Sequence, residues 1–392
     1  MDDDDFLLLN PGPVPVRDAV LDAMAEPMVS HRSTAFESVY ERAQTGVEYV
    51  FEQSTPTDRS TGDGTALLLN GTATMGMEAA VANLVGPTDH VVALVNGKFG
   101  RRFARIAERH TDDVTRVEAA WGESIPLSAV ADAVQPDTRL VTMVHNETST
   151  GLQNPVWGVG DLVADHDAYF AVDGVTSVGG DVFCVDDWHV DVAITDAQKA
   201  LETPPGISAV YVTSAVQDAF DGESAPFYED LDWHLRKAES HQTPFTSAVP
   251  LFRGMAEAVE AIEREGMPAR IARHHRQARA FRAGFAALGL DGFPEATDHT
   301  VLSNTVTAIR LPEPIRGDPA TFFAAVEERN VSISGGQGHL SGEIFRVSNM
   351  GSLADEQVVR GVRVVGEALD AVGVDTDPEA GVAAARQLTE VN

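Results

Sequence analysis

The chain has 392 residues, 43% of them hydrophobic, and sets 60 acidic side chains against 28 basic ones for a formal net charge of −32. That apolar content can bury a large core, which excludes a disordered acidic tail, and the length accommodates one large domain plus a smaller one. A field of this sign repels nucleic acid and anionic membranes, so neither is expected as a partner.

Apart from Asp2 to Asp5 the acids are dispersed, as on a solvated anionic surface. Lysine occurs only three times, at Lys98, Lys199 and Lys237, against 25 arginines. Scarce lysine with abundant acid points to a halophilic protein, because charge repulsion is screened within ~3 Å at about 1 M salt; an ordinary acidic protein is the alternative. Cys184 is the sole cysteine, so no intramolecular disulfide can form, consistent with a cytoplasmic enzyme. No apolar run approaches the ~20 residues that span a bilayer, and the acidic start lacks the basic region of a signal peptide.

In chain order, apolar runs predict strands at 66–69, 91–95, 140–144, 169–172, 190–194 and 209–212. Helical patterns lie between them at 74–84, 101–109, 127–134 and 159–166. This alternation reads as an α/β fold with a mostly parallel sheet covered on both faces. After about residue 250 the pattern changes to long helices over 255–265 and 269–288, then strands at 305–311, 331–334 and 344–347 with helices at 319–328 and 356–372. A smaller α+β C-terminal domain is expected there, joined by a long helix because no Gly/Ser-rich linker intervenes. The boundaries read as 15–255 for the large domain and 256–392 for the small one, with residues 1–14 packing near the active site and the small domain.

Three stretches carry chemistry. In L67-L-L-N-G-T-A-T74 an apolar strand runs through Gly71 into a helix, and free backbone N–H groups with the Thr72 and Thr74 hydroxyls form an anion cradle suited to phosphate. Such a turn also serves as plain connection, and it matches neither the P-loop nor the dinucleotide pattern. In Y169-F-A-V-D-G-V-T-S177, Asp173 ends a buried-looking strand, where parallel sheets place their ligand crevice; an Asx turn or helix cap is the alternative. Lys199 follows 26 residues later, in A197-Q-K-A-L-E-T-P-P-G206. A desolvated lysine becomes a nucleophilic amine able to form an imine. Most lysines are solvated surface residues, yet this chain almost always uses arginine for positive charge, and arginine forms no imine. A phosphate cradle, a carboxylate for a ring nitrogen and an imine-forming lysine together match the needs of pyridoxal 5′-phosphate.

With these residues in place, the chain resembles the class V aminotransferases of PLP-dependent fold type I, in the alanine–glyoxylate and serine–pyruvate branch. The likeness runs through Leu8–Pro13 (LLNPGP), N96-G-K-F-G100, H145-N-E-T-S-T-G151, V172-D-G-V-T-S-V-G-G180 and A197-Q-K-A-L-E-T-P-P-G206. It continues through His241–Pro244 (HQTP) and S334-G-G336 to F345-R-V-S-N-M-G351. It implies a mostly parallel seven-stranded sheet and a homodimer with active sites at the subunit interface. It also implies pyridoxal 5′-phosphate as cofactor, and ping-pong transfer from alanine or serine to glyoxylate or pyruvate. By the resemblance Lys199 is the Schiff-base lysine and proton shuttle, Asp173 pairs with the pyridine nitrogen, and Val175 and Phe99 cover the two ring faces. Thr148 bonds the ring hydroxyl, Thr72, Ala73, Thr74 and Gln198 cradle the phosphate, and Thr243 reaches it from the neighbouring subunit. Arg346 clamps the substrate carboxylate and Gly12 edges the substrate pocket. Ser240 stands where relatives often place a phosphate-binding tyrosine, a departure.

Aminoethylphosphonate–pyruvate or aspartate-type transamination is the nearest alternative. A cysteine desulfurase-like lyase would need Cys184 as sulfur acceptor, and Cys184 reads instead as a buried small apolar residue. A non-catalytic scaffold would be expected to lose Lys199 or Asp173. His145, His189, His241 and His339 are too scattered for a metal site and read as core or surface residues.

Overall fold

The computed structural model describes residues 5–57, 61–297 and 300–390; Asp2 to Asp4 of the acidic run lie outside the described residues. Seven strands form the main sheet: β1 (Thr65–Asn70), β2 (His90–Val95), β3 (Val114–Glu118), β4 (Thr138–Val144), β5 (Tyr169–Asp173), β6 (Val192–Asp196) and β7 (Ile207–Val212). Their spatial order is β1-β7-β6-β5-β4-β2-β3. Only β7 runs antiparallel to its neighbours, so β1 to β6 all point the same way. Runs such as A66-L-L-L69 and H90-V-V-A-L-V95 are buried along their length, as expected where helices cover both faces of a parallel sheet.

The helices that matter here are α1 (Thr34–Glu52), α2 (Ala73–Leu84), α3 (Lys98–His110), α4 (Val249–Glu265), α5 (Met267–Ala287) and α6 (Asp355–Ala371). The main sheet and α1 to α4 share one apolar core. A second core gathers Phe281 and Phe285 of α5, Val358 to Val365 of α6, and Leu7 and Leu9 from the start of the chain. It lies beside a four-stranded antiparallel sheet of β8 (Gly292–Phe293), β9 (Val306–Arg310), β10 (Ser334–Gly335) and β11 (Ile344–Ser348), in the order β8-β9-β11-β10. The α/β class with a mostly parallel seven-stranded sheet is therefore as the sequence suggested.

Several details differ. The strand expected at 190–194 lies two residues later, because Val190 still closes a turn onto the Val185 carbonyl; Asp196 thus becomes a strand end. The helices expected at 255–265 and 269–288 are both present as α4 and α5, but each starts earlier, and they meet at Gly266 with φ of +80°. The run 331–334 divides: Val331–Ser332 pairs in parallel with Leu7–Leu8, while Ser334–Gly335 pairs with β11. Neither β3 nor α1 was anticipated.

One buried ionic cluster joins these layers. Arg270 on α5 is fully buried and donates to the Gly179 and Ala200 carbonyls at 2.6 and 2.7 Å, to Glu202 at 2.5 Å and to Glu265 at 2.8 Å. Glu202 also receives Arg17 at 2.9 Å, and Glu265 receives Arg273 at 2.7 Å. Every nitrogen of the guanidinium fork is thereby matched to an acceptor, which is what makes its burial tolerable. Replacing Arg270 with Met leaves Glu202 buried without its closest partner, and breaking a buried pair this way costs about 3–5 kcal/mol. Denaturant titration of Arg270→Met should show a loss of that size; a change within about 0.5 kcal/mol, the range of ordinary surface substitutions, would mean that the cluster carries no net stability.

Candidate active site

The C-terminal ends of β1, β2, β4, β5 and β6 lie along one edge of the sheet, and each releases a loop into a common cleft of about 330 Å³. The turn after β1 and the start of α2 supply Thr72, Ala73 and Thr74; the start of α3, after β2, supplies Phe99 and Arg102; the segment after β4 supplies Thr148. From β5 come Asp173 and Val175, and from β6 come Asp196, Gln198 and Lys199. Pro11 and Gly12 close one side, and Ser334, Gln337 and Arg346 of the second sheet close another. All the proposed site residues except Thr243 therefore meet in one place.

Lys199 is 8% exposed, and its amine donates to the Pro11 carbonyl. Burial pushes its pKa down to about 8, with Asp173 pulling the other way and Arg346 adding to the depression. Gly12 has φ of +94°, and a Cβ there would stand 2.8 Å from Lys199 Cδ and Cε. Glycine is thus required twice over, by the backbone and by the lysine passing beside it. Asp173, at the tip of β5, is buried; desolvation raises it to about 7, opposed by the Val175 amide that donates to Oδ1 at 2.9 Å and by the charges of Lys199 and Arg102. That is its one side-chain bond among the described residues, leaving Oδ2 for a ligand.

Arg346, on β11, is 3% exposed; it donates to the Gly335 carbonyl through Nε at 3.1 Å and Nη2 at 2.7 Å, and to the Thr148 carbonyl through Nη1 at 2.9 Å. These bonds fix the fork without neutralising it, and burial lowers its pKa to about 10 despite the nearby Glu147. A buried guanidinium bonded only to neutral carbonyls is prepared for an anion.

The expected phosphate cradle is altered. Ala73 N–H is not free: it donates to Asp196 Oδ2 at 2.8 Å, and Gln198 Nε2 donates to the same oxygen at 2.7 Å. Thr74 Oγ1 accepts Arg102 Nη1 at 2.7 Å. Thr148 Oγ1 shares a 2.5 Å hydrogen bond with Thr176 Oγ1. Thr243 lies outside the cleft, held by Ser247 Oγ at 2.5 Å and the Phe245 carbonyl at 2.8 Å, so a single chain does not bring it to the site. Cys184 is half-buried rather than buried, and it does not line the cleft. His145 is buried, with burial lowering it to about 4. Among the described residues no cluster of His, Cys, Asp or Glu could hold a metal ion, and no helix is long and apolar enough to cross a membrane.

Sequence reasoning missed Arg102, Asp196 and Glu147. Glu147 is fully buried and accepts the Phe99 and Gly100 amides at 3.0 and 3.1 Å, and the Ser149 amide and hydroxyl at 3.1 and 2.5 Å. It caps α3 from the short strand Asn146–Glu147 that follows β4 and so places Phe99, in accord with the preference of helix starts for carboxylates. A Cβ on Gly97 would collide with it. Only the H145-N-E-T-S-T-G151 motif hinted at Glu147.

The model for aminotransferases of class V matches residues 7–356. The chain belongs to the class V aminotransferase family. This aminotransferase is 34% identical over 97% of its length to an uncharacterized aminotransferase of Methanocaldococcus jannaschii, covering 97% of that protein. It is 32% identical to the L-aspartate–glyoxylate aminotransferase of Paracoccus denitrificans, over 96% of this chain and 94% of that one. The crystal structure of the pyridoxamine–pyruvate aminotransferase from Mesorhizobium loti superposes with a TM-score of 0.88 at 28% identity, covering 99% and 98% of the two chains. The fold is type I of the PLP-dependent transferases, and the chemistry is amino-group transfer.

With the Lys199 pKa near 8, the neutral and therefore nucleophilic amine gains population as pH rises through that value. Acetylation of Lys199 in cofactor-free protein by acetic anhydride, followed by peptide mass spectrometry, should accelerate about tenfold per unit below pH 8 and level off above it. A rate still climbing near the free-lysine value of about 10.4 would show that the amine is not desolvated.

Proposed function

We propose that this aminotransferase uses pyridoxal 5′-phosphate to move an amino group from alanine or serine to glyoxylate or pyruvate in two half-reactions. The observation that carries the reading is the meeting of Lys199, Asp173 and Arg346, each buried and each with functional atoms facing one cleft. The residues present fit the cofactor: a depressed amine able to form an imine, and a buried carboxylate with a spare oxygen at a strand end to meet a protonated ring nitrogen.

When bound, the cofactor supplies an electrophilic carbon for the donor's nitrogen and an electron sink for its Cα–H bond. Lys199 takes the Cα proton and returns it on the other side of the transfer, which suits an amine whose pKa lies near neutrality. Asp173 keeps the ring nitrogen protonated, exchanging a costly solitary burial for a charge pair. Arg346 orients the substrate's α-carboxylate with its planar fork, and Phe99 and Val175 exclude water from the ring faces. Thr72, Thr74 and Gln198 hold the phosphate, with Thr148 at the ring hydroxyl and Gly12 beside the substrate. Thr243 serves the neighbouring subunit's site in a cytoplasmic homodimer, and the halves 15–255 and 256–392 act as large and small domains.

The Paracoccus relative named for aspartate and glyoxylate supports glyoxylate as acceptor and keeps aspartate as the alternative donor. Lys199→Ala should lower transamination at least about 100-fold, the usual contribution of a positioned general base, in a panel crossing alanine, serine and aspartate with glyoxylate, pyruvate and 2-oxoglutarate. Wild-type turnover by the variant would overturn the assignment of Lys199, and turnover with aspartate alone would replace the donor.

The protein is further proposed to be halophilic, from its net charge of −32 and the self-repulsion that salt screens. Far-ultraviolet circular dichroism should collapse on dialysis from molar salt to a few millimolar. An unchanged spectrum with full activity there would contradict salt dependence.

A further inference from the structure

The phosphate cradle has a charge problem. Its hydroxyl, amide and carboxamide donors are all neutral, and Asp196 adds a carboxylate that already occupies the Ala73 amide and the Gln198 carboxamide. A phosphate brought there needs a positive charge near it, since an anion beside a buried carboxylate is otherwise repelled. Three cations line the cleft: Lys199, Arg346 and Arg102. Lys199 is the reacting amine beside Asp173, and Arg346 is pinned to the Gly335 and Thr148 carbonyls. Arg102 remains.

Its setting is that of a prepared anion ligand. Arg102 stands one turn into α3, three residues after Phe99, and its guanidinium lies over the Phe99 ring, 4.9 Å from the centroid. Its single hydrogen bond among the described residues runs from Nη1 to Thr74 Oγ1 at 2.7 Å, which places it at the helix start where the cradle lies. No carboxylate is paired with it among those residues, although in this chain most other arginines have an acidic or carbonyl partner. A ring covering the flat face of a guanidinium strips water from it and leaves the N–H edge to find acceptors. Phe99 and Arg102 therefore act as one unit: the ring that would cover the cofactor also aims the charge.

We propose that Arg102 holds the phosphate group of the cofactor, supplying the positive charge that the neutral cradle and Asp196 leave missing. The proposal rests on the pyridoxal 5′-phosphate reading of the cleft, and it makes Arg102 a binding residue that also sets how far Phe99 can turn.

The test compares the phosphorylated and unphosphorylated forms of the cofactor on cofactor-free protein at fixed salt, read by absorbance and fluorescence titration. In Arg102→Gln the Kd for pyridoxal 5′-phosphate should rise at least about tenfold, the equivalent of about 1.4 kcal/mol, while the Kd for pyridoxal stays within about twofold of wild type. Arg102→Lys, which keeps the charge but loses the fork, should fall between the two, with an unchanged melting temperature showing that both variants fold. Equal weakening of both ligands, or no weakening, overturns the proposal in favour of a structural role. An unchanged affinity ratio with a KM raised for aspartate but not for alanine also overturns it, assigning Arg102 to a substrate's second carboxylate. If wild-type protein binds pyridoxal 5′-phosphate no better than bovine serum albumin does, the cofactor reading itself fails, and this proposal with it.

Discussion

A lysine amine held out of water between a carboxylate and a guanidinium is the constraint around which this protein is built. Lys199 is buried with its amine bonded to the Pro11 carbonyl, and the Asp173 charge favours its protonated form while the Arg346 charge opposes it. The three groups come from two sheets: Asp173 ends β5 and Lys199 follows β6, while Arg346 sits on β11. Neither sheet alone makes the site, so the packing of the two cores is as much a part of the chemistry as the residues themselves. The Arg270 cluster serves that packing, since it grips the Ala200 carbonyl and Glu202 immediately after Lys199 from a helix of the second core.

Charge is distributed in opposite ways inside and outside the cleft. The chain as a whole is strongly anionic, but its active cleft concentrates three cations against Asp173 and Asp196 on its wall, with Glu147 buried behind. A concave, partly desolvated basic site within an acidic envelope focuses small anions such as amino and oxo acids while the outer surface repels larger polyanions. Pairing each cation with a neutral carbonyl, a hydroxyl or a weakly ionised acid keeps it available, at the cost of stability that a conventional ion pair would not incur.

The parts of this arrangement that could be read from the sequence are those with local signatures. Lys199 stands out because the chain so seldom uses lysine, Asp173 because it closes an apolar run, and the Thr72–Thr74 turn because a strand passes through glycine into a helix. What stayed hidden depends on partners far along the chain. Asp196 reads as one acid among many until β6 is seen to end there, opposite Ala73 of the first helix after β1. Arg102 reads as an exposed helix position until Thr74 and Phe99 surround it. Strand β3, V114-T-R-V-E118, was missed because an edge strand exposes alternate charged residues and carries little of the apolar run that marks its neighbours. Thr243 was placed by resemblance, and within one chain it lies outside the cleft, bonded to Ser247 and the Phe245 carbonyl.

The opening segment of the chain ties these features together. Leu7 and Leu8 add a short parallel strand to Val331–Ser332, Leu9 accepts the Ser348 amide two residues beyond Arg346, and Pro11 and Gly12 then lie against Lys199. Within six residues the backbone thus touches the strand that carries Arg346 and the amine of Lys199. Such a strap behaves as a mechanical linkage: a shift of the C-terminal sheet by a fraction of an ångström is felt as a change in where the lysine can point.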